Sequence, residues 1–142
     1  MVVTVLYRME GEPEVPDIDM PFTDVAEDIW YTDAIKWAVD NAIAFGFGDG
    51  TFRPDDSVTR EQMAAFICRY AEFTKTELPE EVEYSGFTDN ADISGYAVEY
   101  IEKLFKADIV RGKDNNRFDP KGLANRAEFS AVLHRYLTAI NA

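Results

Sequence analysis

Disulfides are excluded at once, because the 142-residue chain holds one cysteine, Cys68, and that scarcity leaves the compartment open. The one histidine, His134, has no acid or cysteine at ligand spacing, so no metal or catalytic role attaches to it. No run approaches the roughly 18 apolar residues of a membrane span, and no basic-then-apolar leader opens the chain. Positive charge is scarce too. Lys and Arg number 14 against 27 Asp and Glu, a net charge of −13. That balance argues against nucleic acid or an anionic bilayer as partner, since both need a basic face. No nucleophile, base and orienting group stand together, so the chain reads as no enzyme and implies no cofactor. What is present is apolar: 46% hydrophobic and 13% aromatic residues suffice for a core, in one compact domain or a short repeat array.

Self-similarity is the strongest feature. Phe22-Thr23-Asp24 returns as Phe87-Thr88-Asp89, and Phe52-Arg53-Pro54 as Phe118-Asp119-Pro120. Val58-Thr59-Arg60-Glu61-Gln62 returns as Ala124-Asn125-Arg126-Ala127-Glu128, and Arg69-Tyr70 as Arg135-Tyr136. The offset is 65 at the front and 66 afterwards, which places one inserted residue near Gly95. Val5-Leu6-Tyr7-Arg8-Met9 aligns with Phe66-Ile67-Cys68-Arg69-Tyr70. The chain therefore reads as the tail of one repeat, residues 1–12, and two whole ones, 22–74 and 87–141, together one domain. Because Met1 leads straight into helix-like Val2-Val3-Thr4-Val5-Leu6, it also reads as a fragment whose export signal would lie elsewhere.

Apolar spacing predicts an all-α fold with two helices per whole repeat. The first helices span 32–41 and 96–107. Each is followed by a glycine-marked loop, a hairpin signal at Asp49-Gly50 whose shape Asn115-Asn116 is expected to keep. Each second helix opens with a capping box, Thr59 with Gln62 and Asn125 with Glu128. Residues 11–20, rich in proline, and 73–86, rich in glutamate, read as solvated connectors. Arg8, Arg69 and Arg135 recur near helix ends, where a cation is favourable, and read as structural. Cys68 reads as a packing residue. Residues 114–125 lack the glycine and glutamate of a calcium loop.

The repeat resembles the S-layer homology domain. The likeness rests on Phe22-Thr23-Asp24-Val25, Trp30, Ala34-Ile35, Gly46, Gly48-Asp49-Gly50-Thr51-Phe52-Arg53-Pro54 and Val58-Thr59-Arg60-Glu61-Gln62-Met63-Ala64. The second copy keeps Phe87-Thr88-Asp89, Gly112, Phe118-Asp119-Pro120 and Asn125-Arg126-Ala127-Glu128. The resemblance implies a monomeric three-repeat pseudo-trimer, with a central three-helix bundle from the second helices and loop-plus-helix prongs around it. It also implies a non-catalytic, extracellular anchor that binds secondary cell-wall polysaccharide, often pyruvylated, in grooves between prongs. A protein–protein module for surface-layer assembly is the other reading. By the resemblance, Arg60 and Arg126 are ligand contacts, with Trp30, Asp24, Gly46 and Gly48 and, in the second copy, Asp89 and Gly112. The chain departs from the pattern in its first repeat, which lacks a prong and an arginine, and in Gly95 and Asn125, which stand where the first copy has Trp30 and Thr59.

The residues leave two roles open for the arginines. Both sit in a first helical turn, where the macrodipole disfavours a cation, so either an anionic ligand or an ion pair to the next repeat must answer the charge. On the ligand reading, removing both should abolish polymer binding and leave the melt almost unchanged. Locally an acidic ligand is admissible: Arg111, Lys113, Arg117, Lys121 and Arg126 stand against only Asp114 and Asp119 over residues 111–126, a surplus of three. Trp30 could stack on a sugar or plug a prong's base; Trp37, on the helix, belongs in the core.

Overall fold

Every α-helix whose end lies well inside the chain stops in the same way. In the computed structural model, which describes residues 2–141, the α-helices are α1 (Val2–Met9), α2 (Thr32–Asp40), α3 (Arg60–Phe73), α4 (Val98–Lys106) and α5 (Arg126–Ile140). After α1 to α4 a left-handed residue reverses the chain: Gly11 (φ 82°), Ala42 (φ 59°), Lys75 (φ 56°) and Asp108 (φ 59°). The amide after it bonds five residues back, as in Ile43 N to Ala38 O at 2.8 Å and Ile109 N to Leu104 O at 2.8 Å. These are Schellman stops, satisfying carbonyls that the helix leaves free. Only one of the four has glycine. A left-handed alanine costs about 1–2 kcal/mol, and glycine's extra freedom when unfolded returns about 0.5–1 of that. Ala42→Gly is therefore expected to stabilise by about 0.5–1 kcal/mol, read as a higher urea midpoint at unchanged slope.

The backbone is all-α, as expected, with 3-10 turns at Asn90–Asp92, Gly95–Ala97 and Asp114–Asn116. Among the described residues there is no strand, only two isolated antiparallel bridges, and no helix long and apolar enough to cross a membrane. The chain divides into two compact units, Met1–Asp56 and Ser57–Ala142.

In the first unit α1 packs on α2. Val2, Val3 and Leu6 are buried on one helix, and Ala34, Ile35, Trp37 and Ala38 on the other. Tyr7 and Trp37 meet at 5.5 Å between ring centres, and the Tyr7 hydroxyl donates to the Pro13 carbonyl (2.9 Å). In the second unit α3 packs on α4, with Ala64 and Ile67 on one and Ile101 and Leu104 on the other wholly buried. Fully burying an isoleucine or leucine contributes about 1.5–3 kcal/mol. α5 lies beside α3 in the same direction: Arg60 meets Glu128 near both starts, and Tyr70 meets Tyr136 further along, at 6.1 Å between rings.

The recurring Phe-Thr-Asp triplet is a clasp for the loop that follows the first helix of each whole repeat, α2 or α4. Asp24 accepts from Phe52 N (2.9 Å) and Arg53 N (2.8 Å); Asp89 accepts from Phe118 N (2.9 Å) and Asp119 N (2.8 Å). Thr23 N donates to Gly50 O (2.8 Å), and Thr88 N to Asn116 O (2.9 Å). Phe22 packs on Phe52 at 5.1 Å and Phe87 on Phe118 at 5.3 Å. Glycine recurs because these rings need the room. A Cβ on Gly46 would run into the Phe22 ring, and one on Gly112 would lie 2.9 Å from Phe87.

The two loops differ in one respect from the expectation. Both close as hairpins, Phe47 N to Thr51 O (3.1 Å) and Lys113 N to Arg117 O (2.6 Å). Inside them the backbone is not the same. Gly48 (φ 83°) and Gly50 (φ 85°) are left-handed in the first, while the second uses the adjacent pair Asn115 (φ 62°) and Asn116 (φ 53°). Asp114 stands where Gly48 would be, and an aspartate keeps to negative φ more readily than glycine. The left-handed position therefore moves one residue on, to an asparagine that tolerates it.

Candidate functional site

Helix α3 opens without a single free amide. Arg60 N donates to Gly122 O (2.8 Å) and Glu61 N to Pro120 O (3.1 Å), while Gln62 N takes the Thr59 hydroxyl (3.2 Å) and Met63 N the Thr59 carbonyl (2.9 Å). The Gln62 side chain in turn accepts from Thr59 N (2.9 Å), completing the expected capping box. The amides of Thr59, Arg60, Glu61 and Gln62, the four donors that a helix leaves over, are thus all satisfied, and Met63 N makes the first bond of the helix's own ladder. At α5 the box is only half made. Asn125 accepts from Glu128 N (2.8 Å), but the Glu128 carboxylate does not reach back. It is drawn to Arg60 instead.

Arg60 answers the question its position raised. It is 7% exposed, and three of its nitrogens are bonded: Nε to the Phe118 carbonyl (2.7 Å), Nη1 to Glu128 (2.9 Å) and Nη2 to the Arg111 carbonyl (2.9 Å). Its guanidinium also lies 4.7 Å from the centre of the Phe118 ring. A cation is tolerated in the first turn because a carboxylate and two carbonyl dipoles from the next repeat surround it. Yet the ion pair does not fill the space. A cavity of about 170 Å³ opens beside it. Arg60 and Met63 of α3 form one wall, residues 110–113 with Phe118 the second, and Glu128, Ala131, Val132 and Arg135 of α5 the third. Four of these residues are cationic and one is anionic.

The other expected ligand residues are dispersed. Arg126 is exposed and makes no ion pair among the described residues. Trp30 is 68% exposed with its ring 5.2 Å from Tyr31, so it plugs nothing, while Trp37 is in the core as expected. Asp24 and Asp89 spend their oxygens on the loop clasps. Gly46 supports the first loop, and Gly48 sits at its open tip. Gly112 alone joins Arg60 at the cavity. Sequence reasoning overlooked Glu128 as partner to Arg60, and it placed Arg135 near a helix end although α5 runs on to Ile140. Glu128 and Arg135, seven residues apart, share a helix face, and that spacing was the available signal.

The local positive surplus is smaller than the sequence count. Lys113 pairs with Asp119 (2.7 Å), Arg111 with Asp108 (3.3 Å) and Lys121 with Glu61 (2.8 Å). Glu61 is 2% exposed. Burial pushes its pKa up, but hydrogen bonds from Lys121 and Ser94 outweigh that and hold it below the usual glutamate value. A depressed carboxyl stabilises the fold above its unfolded pKa, about 4.3, and that contribution is lost as pH falls through the folded value. Thermal melts between pH 5 and 3 should therefore lose less stability in Glu61→Gln than in the unaltered chain. Cys68 is buried and its thiol is pushed up to about 12 by desolvation, which suits a packing residue rather than a nucleophile. Among the described residues no group of acids, histidine and cysteine could hold a metal ion.

The paired repeats, their glycine-supported loops and the arginine at the start of α3 define a class that comparison identifies. The S-layer homology domain family matches residues 21–64 and 86–130, and the chain belongs to that family of cell-surface anchoring modules. Among its relatives are an amylopullulanase of Thermoanaerobacterium thermosulfurigenes, 38% identical over 82% of this chain, and the exoglucanase XynX of Acetivibrio thermocellus, 35% identical over 84%. A cellulosome-anchoring protein of Acetivibrio thermocellus is 33% identical over 82%. The chain spans 6%, 11% and 26% of those proteins' lengths, respectively.

Proposed function

We propose that this chain is a non-catalytic module that tethers a larger exported protein to the cell wall by binding an acidic secondary cell-wall polysaccharide. The observation that carries the reading is the cavity beside Arg60, where cations from a helix of one repeat and a loop of the next converge on a small concave space. A groove of that charge suits a carboxylate-bearing glycan, and the guanidinium fork matches carboxylate geometry. Membership of the S-layer homology family, and relatives whose names include a cellulosome-anchoring protein and an S-layer protein, point the same way. Exposed Trp30 is a further surface on which a sugar ring could stack, and Arg126 a second cation for the polymer. In this reading residues 22–74 and 87–141 are the second and third repeats of a monomeric pseudo-trimer, residues 1–12 close the first, and the module is displayed on the cell surface.

The test is co-sedimentation with purified wall, intact or stripped of its secondary polysaccharide. Retention by intact wall alone is the expected result. Equal retention by stripped wall would instead make this a protein-interaction module of surface-layer assembly.

A further inference from the structure

The cavity beside Arg60 contains one cation that no carboxylate answers. Arg60 faces Glu128, Arg111 faces Asp108 and Lys113 faces Asp119. Arg135 makes a single hydrogen bond, from Nη1 to the Ile109 carbonyl at 3.2 Å, and no carboxylate lies within pairing distance among the described residues. A guanidinium has five donors in a fixed fork, so most of its capacity is unused. Its side chain is half-buried in the cavity wall, on the same face of α5 as Glu128 and two turns further along. Desolvation above all, then the fields of Arg111 and Arg60, holds its pKa below the ordinary guanidinium value, opposed by Asp108. Since arginine keeps its proton regardless, that crowding persists as local positive potential, which Asp108 offsets only in part.

We infer that Arg135 is the residue that reads the charge of the ligand, taking a carboxylate or phosphate group into the cavity, with Arg60 forming the wall. The inference rests on the groove reading above and adds to it which side chain discriminates an acidic glycan from a neutral one. A fork with unused donors and partial desolvation favours a doubly bonded anion, whereas Arg60 is already held by Glu128 and two carbonyls.

Two measurements on the whole 142-residue chain test it. In the first, the arginine Nε–Hε resonances are followed by NMR during titration with sodium acetate or inorganic phosphate, against sodium chloride at matched ionic strength. The Arg135 resonance should shift saturably with one of the two anions, which identifies the chemical class, and should stay in place with chloride. Equal response to all three salts overturns the proposal.

In the second, binding to wall polymer is compared before and after its acidic substituents are removed. The unaltered chain should prefer the intact polymer by roughly tenfold or more, and Arg135→Gln should lose that preference. Arg135→Lys, which keeps the charge without the fork, should fall between them. If the unaltered chain prefers the intact polymer and Arg135→Gln does so equally, the inference falls and the groove reading stands. If the unaltered chain binds neither polymer while the resonance still responds, the anion site stands and the wall-anchoring reading falls.

Discussion

Arg60→Met is expected to lower the thermal midpoint by roughly 6–12 °C, whereas Arg126→Met should leave it nearly where it was. The first substitution leaves Glu128 without its partner and strips donors from the Phe118 and Arg111 carbonyls. Removing one member of a buried pair costs about 3–5 kcal/mol, and Glu128 is partly solvated, so the lower end applies. At about 2–4 °C per kcal/mol for a chain of this size, about 3 kcal/mol gives the stated shift. Arg126 is exposed and makes no ion pair among the described residues, and a surface change of that kind stays within about 0.5 kcal/mol. Adding Glu128→Leu to Arg60→Met should recover part of the loss, since both charges then leave together. Differential scanning calorimetry of the three variants measures all of this. Equal melts for Arg60→Met and the unaltered chain would mean that the pair contributes nothing to stability.

Asp89→Ala should cost about 2–4 kcal/mol, and Asp24→Ala a similar amount. Each carboxylate holds two backbone amides across about thirty residues of chain, and hydrogen bonds to a charged group contribute about 1.5–3 kcal/mol apiece before water replaces part of them. The clasp also holds Arg53 (φ 56°) and Asp119 (φ 59°) in left-handed backbone, a conformation that relaxes once the anchor is gone. Hydrogen exchange gives the direct readout. The Phe118 and Asp119 amides should exchange much faster in Asp89→Ala, and the Phe52 and Arg53 amides should not. Asp89→Asn, which keeps one acceptor oxygen, should fall between.

The clasp also explains why the fold was more legible in the sequence than the site. Periodicity placed α2 within a residue and the capping motifs placed the starts of α3 and α5, because a buried helix face and a cap leave patterns that sequence carries locally. The Phe-Thr-Asp recurrence marked something essential, but a repeated aspartate looks the same whether it serves a ligand or a backbone amide. Only its distance in space from Phe52 or Phe118 separates the two. Arg60 posed the same difficulty: the dipole argument correctly required a counter-charge, and the partner was a glutamate 68 positions away that its own capping motif had appeared to claim. Arg135 was hidden by where α5 ends. A cation in the last turn would serve the helix's own carbonyls, whereas α5 runs on to Ile140 and holds Arg135 in the cavity wall.

The first two amides of α3 donate to the Gly122 and Pro120 carbonyls, so the seam between consecutive repeats is sewn main chain to main chain. Such stitches are indifferent to side-chain identity. Arg60 keeps its own amide bond whatever stands on its Cα. An array joined in this manner can diverge widely in sequence, altering what it grips from copy to copy, while the geometry of the joint is inherited intact.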